Sequence, residues 1–290
     1  MKAILMTALI AVSVSVGFNA AQAATVEELL VQAKQSFAER EYDNAGVAKA
    51  QAAADMYAQA AADKSVSKFN KVAALTGQAE ALYFVANVNP ATDVKIAKHW
   101  EGFTAAETVV KMFGVNDVTN VSDATVASLK ALPADQLKIF AEALFQRGIN
   151  LGQWGAASGV AQSLGRWPEL RSNMELIVKI GFKDLHEYGA YRTLGLGFYK
   201  IPALLGGSMA KADKYLSTAV SGSLAAGQTY SINGYNNVFY AQILRDNGSA
   251  AKAKELLQNF LKADANTLNP GNAPETKAAQ REATELLKTM

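Results

Sequence analysis

From Ala24 onward, apolar side chains recur at three- and four-residue steps and nowhere alternate over a sustained run. Between Lys68 and Val88, Leu75, Ala79, Leu82 and Ala86 follow at steps of four, three and four, which lines them along one face of a helix. Breaks fall at Asn89-Pro90, Leu132-Pro133, Trp167-Pro168, Ile201 to Ser208, Asn247-Gly248 and Asn269 to Pro274. The pattern predicts about twelve helices and no strand. None of the breaks is long enough for an interdomain linker, so residues 24–290 read as one all-α domain. The alanine-rich stretch from Ala45 to Ala62 predicts close helix packing, because alanine favours the helix and lets neighbours approach. Val115 to Asp123, with two Asn and two Asp, reads as the most loop-like interior region.

The first segment has a different pattern. Lys2 precedes an apolar run from Ala3 to Val16, and Ala21-Gln22-Ala23 supplies a small-x-small site before Ala24. This is the form of a cleaved secretory leader over residues 1–23. Its apolar part falls short of the roughly 20 residues that span a bilayer, so no membrane span is expected and the mature chain is assigned to the periplasm.

Composition narrows the chemistry. Half of the 290 residues are hydrophobic and 19% are charged, enough apolar material for a large core. A formal charge of +2, from 28 Lys and Arg against 26 Asp and Glu, provides no field for nucleic acid. With 0 Cys there is no disulfide, thiolate metal site or acylated cysteine. The 2 His, His99 and His186, sit at no metal-ligand spacing, and Ala190 stands where a zinc motif begun at His186-Glu187 would need its second His. Neither a metal nor a cofactor is expected.

Two segments near the C-terminus share one arrangement. Leu194-Gly195 and Phe198 are followed by Ala212, Leu216 and Ala219; Tyr240-Ala241 and Leu244 are followed by Ala253, Leu257 and Phe260. Small residues allow two helices of a pair to touch, and large ones fill the gap to the next pair. The second copy has tetratricopeptide spacing, with Asn247-Gly248 at the intra-repeat turn, whereas the first carries an insertion from Ile201 to Gly207. The run YGAYRTLGLGFYKIPALLGGSMAKA, from Tyr188 to Ala212, together with FQRGINLGQWG, from Phe145 to Gly155, resembles the T-component proteins associated with TRAP transporters. The resemblance spans roughly Phe140 to Leu261. It implies a right-handed superhelix of antiparallel helix pairs, a capacity to form homo-oligomers, and a periplasmic substrate-binding protein as partner. Members of that family that are lipoproteins carry a cysteine this chain lacks.

Helical spacing places Phe140, Leu144, Arg147, Leu151 and Trp154 on one stripe. A guanidinium there needs a carboxylate, carbonyls, an aromatic face such as Trp154, or a ligand anion. Tyr188, Arg192, Leu196 and Tyr199 share another face. If the repeat resemblance holds, Arg192, Leu196, Tyr199 and Lys200 turn to the concave surface, joined by Tyr235, Val238, Gln242 and Arg245 from the next repeat. Such a surface suits a peptide segment, an acidic patch of an envelope protein, or a small organic acid. Enzyme motifs are weak. Ser208-Met209-Ala210-Lys211 has Ser-x-x-Lys spacing, but no Lys-Thr-Gly follows, and Ser208 reads as a helix cap. A binding protein without catalytic residues is expected, accessory to a TRAP-type transporter; the alternative is a general envelope scaffold.

Overall fold

The computed structural model describes residues 24–290; the leader expected over residues 1–23 lies outside them. Among the described residues the fold is all-α, and its only β feature is an isolated bridge between Leu224 and Ser231. The helices are α1 (Val26–Ala38), α2 (Asn44–Ala62), α3 (Lys68–Val88), α4 (Thr92–Met112), α5 (Asp123–Lys130), α6 (Ala134–Ser158), α7 (Val160–Lys179), α8 (Leu185–Lys200), α9 (Met209–Gly222), α10 (Gly234–Asp246), α11 (Ala250–Phe260), α12 (Ala265–Leu268) and α13 (Ala273–Leu287). No described helix is long and apolar enough to cross a membrane.

Helix starts follow the local chemistry. Thr25 and Glu28 form a reciprocal capping box at α1, and the side chains of Asp43, Ser67 and Ser122 accept backbone N–H groups at α2, α3 and α5. Ser208 caps α9 by accepting from the Lys211 N–H at 3.3 Å.

One sequence expectation is corrected. Trp167-Pro168 does not break the chain, because α7 runs through Pro168; the break falls at Gly159, whose φ of 102° is open to glycine. An interior proline disfavours a helix by about 3 kcal/mol. Burial of the neighbouring Trp167, edge-on to Phe198 at 5.2 Å and packed onto Gly197, opposes that cost. The segment from Val115 to Asp123 joins α4 to α5 as irregular chain, as its composition predicts. Val115 and Val118 are buried in the main core, and a 3-10 turn covers Val118–Asn120.

Side-chain contacts order the helices into rows. Asn70 of α3 bonds Glu27 of α1 and Leu82 shares a cluster with Ala33, while Val72 of α3 shares a cluster with Ala143 of α6 and the Ala79 carbonyl accepts from Asn150. Likewise 142 and 145 of α6 meet 186 and 189 of α8, and 192 and 199 of α8 meet 236 and 246 of α10. Finally, 235 and 245 of α10 meet 282 and 289, in and just beyond α13. Both numbers rise together in every case, so α1, α3, α6, α8, α10 and α13 run parallel as successive neighbours. Of the helices between them, α2, α4, α7, α9 and α11 pack on the preceding row member. The helix pairs read from the two C-terminal segments are present as α8 with α9 and α10 with α11. Gly195 permits the first contact, since a Cβ there would come within 2.6 Å of Leu216.

The row meets its own beginning. Arg40, just after α1, donates from Nε and Nη2 to Glu275 of α13 at 3.0 and 2.8 Å, and from Nη1 to the Phe37 carbonyl at 3.1 Å. Lys277 reaches Glu41 at 3.4 Å, and the Arg281 guanidinium lies 5.8 Å from the centre of the Tyr42 ring. Arg40 is only 6% exposed, so removing it strands a poorly solvated carboxylate. Arg40→Met is expected to lower the unfolding free energy by about 2 kcal/mol in urea titration. Pairing it with Glu275→Leu should return much of that loss, and an unchanged single variant would contradict the contact.

His99 of α4 is 1% exposed, with Nδ1 3.2 Å from Asn150 Oδ1. Burial drives its pKa down from 6.5 to about 4. A group depressed in the folded state contributes stability that is full above its unfolded value and is lost as pH falls through the folded one. The difference amounts to about 3 kcal/mol, so His99→Gln should flatten the decline in melting temperature between pH 6.5 and 4.

Candidate functional site

The parallel row turns polar and aromatic side chains from distant parts of the chain toward one another. The Arg40-Tyr42 corner, Glu80 and Tyr83 of α3, Glu142 of α6, His186 and Arg192 of α8, Tyr235 of α10 and Glu275 and Glu282 of α13 all act electrostatically on members of this group. Glu80, His186 and Arg192 keep part of their area accessible, yet desolvation is the first influence on each. That combination marks side chains facing a recessed, poorly solvated hollow rather than a convex surface.

At the entry to α8 the backbone is strained. His186, Glu187 and Tyr188 have φ of 50°, 52° and 63°, three consecutive non-glycine residues in the left-handed region, each costing roughly 1–2 kcal/mol. Surrounding contacts hold the turn. His186 Nε2 lies 2.6 Å from Glu142 Oε2, and its ring stacks on Phe145 with centroids 4.3 Å apart. Asn233 donates to the Glu187 carboxylate at 3.1 Å, and Asn236 Nδ2 to the Glu187 carbonyl at 2.8 Å. Arg192 Nη1 donates to the His186 carbonyl at 3.3 Å and to Asn236 Oδ1 at 2.9 Å.

Arg192 therefore spends one nitrogen on neutral acceptors. Among the described residues it forms no carboxylate ion pair, and its Nε and Nη2 make no hydrogen bond while remaining open to solvent-sized space. Burial lowers its pKa and the Glu187 charge opposes the shift. Glu80 also has no hydrogen-bond partner among the described residues. Burial holds its carboxyl above the ordinary range, against the pull of His186 and Arg40.

The residues picked from sequence divide into three groups. Arg192 and Tyr235 are in the hollow, where Tyr235 donates to Glu282 at 3.2 Å. Arg147 belongs to an internal network: it pairs with Glu107 and Glu169, donates to Asn173 at 3.0 Å and sits 4.9 Å above Phe103. Trp154 packs on Trp100 at 5.1 Å, and Tyr188 packs beside Tyr191 over Gly222. Toward the far ends of α8 and α10, Tyr199 donates to Asp246, Arg245 pairs with the same carboxylate at 2.7 Å, and Lys200 lies 4.9 Å from the Tyr199 ring. Leu196 and Gln242 are half-buried. Val238, expected on the concave side, is instead 1% exposed in the core.

Sequence reading missed Tyr42, Glu80, Tyr83 and Glu142, and it set His186 aside as a lone residue. Their available signal was polar residues at helical spacing inside apolar segments, as with Glu80 and Tyr83. A shallow groove of about 250 Å³ between Glu175, Tyr191, Leu194 and Tyr215 contains none of the picked residues. Comparison with known proteins finds no family model that matches the chain and no curated protein similar to it.

For His186, burial lowers the pKa, but the hydrogen bond and charge of Glu142, with the charge of Glu80, outweigh it and leave the value raised above 6.5. Stability from a raised group is full below its unfolded value and is lost as pH rises through the folded one. His186→Gln should therefore destabilise the protein most below pH 6.5 and flatten the loss of melting temperature as pH is raised from there. An unchanged slope would separate His186 from Glu142.

Proposed function

We propose that the protein is a periplasmic, non-catalytic binding protein of tetratricopeptide type, built as a right-handed superhelix and accessory to a TRAP-type transport system. Support for the superhelix comes from the parallel row with the helix packed beside each of its members, and from the end of α1 meeting the start of α13. The transporter association rests on the resemblance of Tyr188 to Ala212 and Phe145 to Gly155 to T-components.

The observation that carries the binding role is the open edge of Arg192. An arginine held by neutral acceptors in a desolvated hollow, with two nitrogens unspent, is a receptor for a carboxylate through a two-bond fork. The carboxylate belongs to a small organic acid or to a partner's acidic side chain, and the Tyr83 and Tyr235 hydroxyls act electrostatically on the same guanidinium. Nothing in this arrangement requires bond-making chemistry.

Titration calorimetry of the purified protein with straight-chain carboxylates of four to eight carbons tests the reading. Binding should weaken by about tenfold or more in Arg192→Gln, with the helical circular-dichroism signal unchanged. Equal affinity of variant and parent rejects Arg192 as the receptor. Pull-down with a substrate-binding protein encoded beside this chain separates a transport accessory from a general envelope scaffold.

A further inference from the structure

The parallel row has two rims, one formed by the C-terminal ends of its members and one by their N-terminal ends. Of the eight large apolar side chains that are exposed among the described residues, five stand at the C-terminal rim of α6 and α8. Val160, 74% exposed, opens α7 directly beyond the end of α6. Leu204 and Leu205, 99% and 55% exposed, lie in the connection beyond the end of α8, and Met209 opens α9. Trp100 joins them by packing on Trp154, one turn from the end of α6.

Leu204 stands on a built turn rather than a slack loop. The Leu205 and Gly207 N–H groups donate to the Pro202 carbonyl at 2.8 and 3.1 Å, Gly206 donates to the Ala203 carbonyl at 3.1 Å, and Ser208 to the Phe198 carbonyl at 2.9 Å. Gly206 takes a φ of 97°, and a Cβ on Gly207 would come within 1.7 Å of the Ile201 carbonyl oxygen, so the turn requires both glycines. These N–H groups are spent inside the turn, which lowers the cost of placing its backbone in a poorly hydrated layer.

Charge along this rim has one sign. Between Glu142 and Glu169, and again between Glu187 and Asp213, the chain contains no acidic residue. Lys200 and Lys211 flank the turn, are exposed, and form no ion pair among the described residues; each lies about a ring's reach from an aromatic side chain instead. At the end of α10, Asp246 is engaged by Arg245 and Tyr199. Separate apolar prominences, a tryptophan and unpaired lysines suit a lipid surface better than a protein. A bilayer takes each prominence without a matching pocket, tryptophan favours the headgroup level, and anionic headgroups complement the lysines.

We infer that this rim docks reversibly on an anionic phospholipid bilayer, with Leu204 and Leu205 entering the headgroup layer and Lys200 and Lys211 on the phosphates. The contact is peripheral, needs no spanning helix, and is independent of the Arg192 site.

Co-sedimentation of the exported, processed protein with phosphatidylcholine vesicles, with and without phosphatidylglycerol, tests it. Binding should appear with phosphatidylglycerol and strengthen as salt is lowered. Leu204→Ser combined with Leu205→Ser should weaken it about tenfold or more, and Lys200→Gln and Lys211→Gln about fivefold each, with the circular-dichroism signal unchanged. Because the chain has 0 Cys, the variant Leu204→Cys carries an environment-sensitive dye at the tip alone. Its emission should move to the blue on anionic vesicles, whereas the same dye in Leu224→Cys, beyond the other end of α9, should not respond. Absence of vesicle binding at millimolar lipid, binding indifferent to the two leucines, or equal dye responses at both positions overturns the inference. Self-association or capture of a partner protein that requires Leu204, without vesicle binding, assigns the turn to a protein and overturns the lipid surface.

Discussion

The contact between Arg40 and Glu275 decides what the interior of this protein is. Parallel helices each present one face to their common side, and in an open row those faces would look into bulk water. Joining the end of α1 to the start of α13 brings the faces together, so side chains more than 200 residues apart share one poorly solvated volume. Charges in such a volume must be paired, neutralised or matched by a bound group. The corner itself obeys this rule: Arg40 spends its donors on Glu275 and on the Phe37 and Gly271 carbonyls, with the Phe37 ring 4.1 Å away.

The same demand explains why strained backbone persists at the entry to α8. Three left-handed residues would relax if the neighbouring groups allowed it. They cannot, because the turn is fixed from several sides. Glu142 and Phe145 hold the His186 ring, Asn233 holds Glu187, and fully buried Asn236 binds the Glu187 carbonyl while accepting from Arg192. Asn236 also donates to the Ala219 carbonyl and lies 3.0 and 3.1 Å from the Ser223 and Ser231 hydroxyls. One amide thus ties α8, α9, α10 and the bridge between Leu224 and Ser231 into one network, whose members reinforce each other in a low dielectric. Strain, network and open arginine edge are therefore one local structure.

Local pattern carried most of the helices and little of the site. Periodicity located the helical segments, and caps such as Thr25 and Ser208 stand where their side-chain chemistry puts them. The error at Pro168 has a tertiary cause, the burial of Trp167 against Gly197 and Phe198, which no local rule contains. The hollow was legible at Arg192 and Tyr235 because they lie in the segments with repeat spacing. Glu80 and Glu142 were not, since each belongs to an apolar helix whose inward face is defined only once α3, α6 and α8 are side by side. Tyr42 is more remote still, reaching the interior only through the meeting of the chain's two ends.

Arg147 and Arg192 show what separates a structural arginine from a receptor. Both sit at helical spacing among apolar residues, and both are drawn out of water. Around Arg147, α4 supplies Glu107 and α7 supplies Glu169, so its charge is neutralised twice over. Around Arg192, α10 supplies the neutral Asn236, and the opposing charge that acts on it most, Glu187, is occupied by Asn233. Exchanging one neutral residue for a carboxylate on a neighbouring helix would convert the second case into the first. The capacity to bind an anion is thus set less by the arginine than by which residues the adjoining helices withhold. That choice becomes visible only when the helices are placed together.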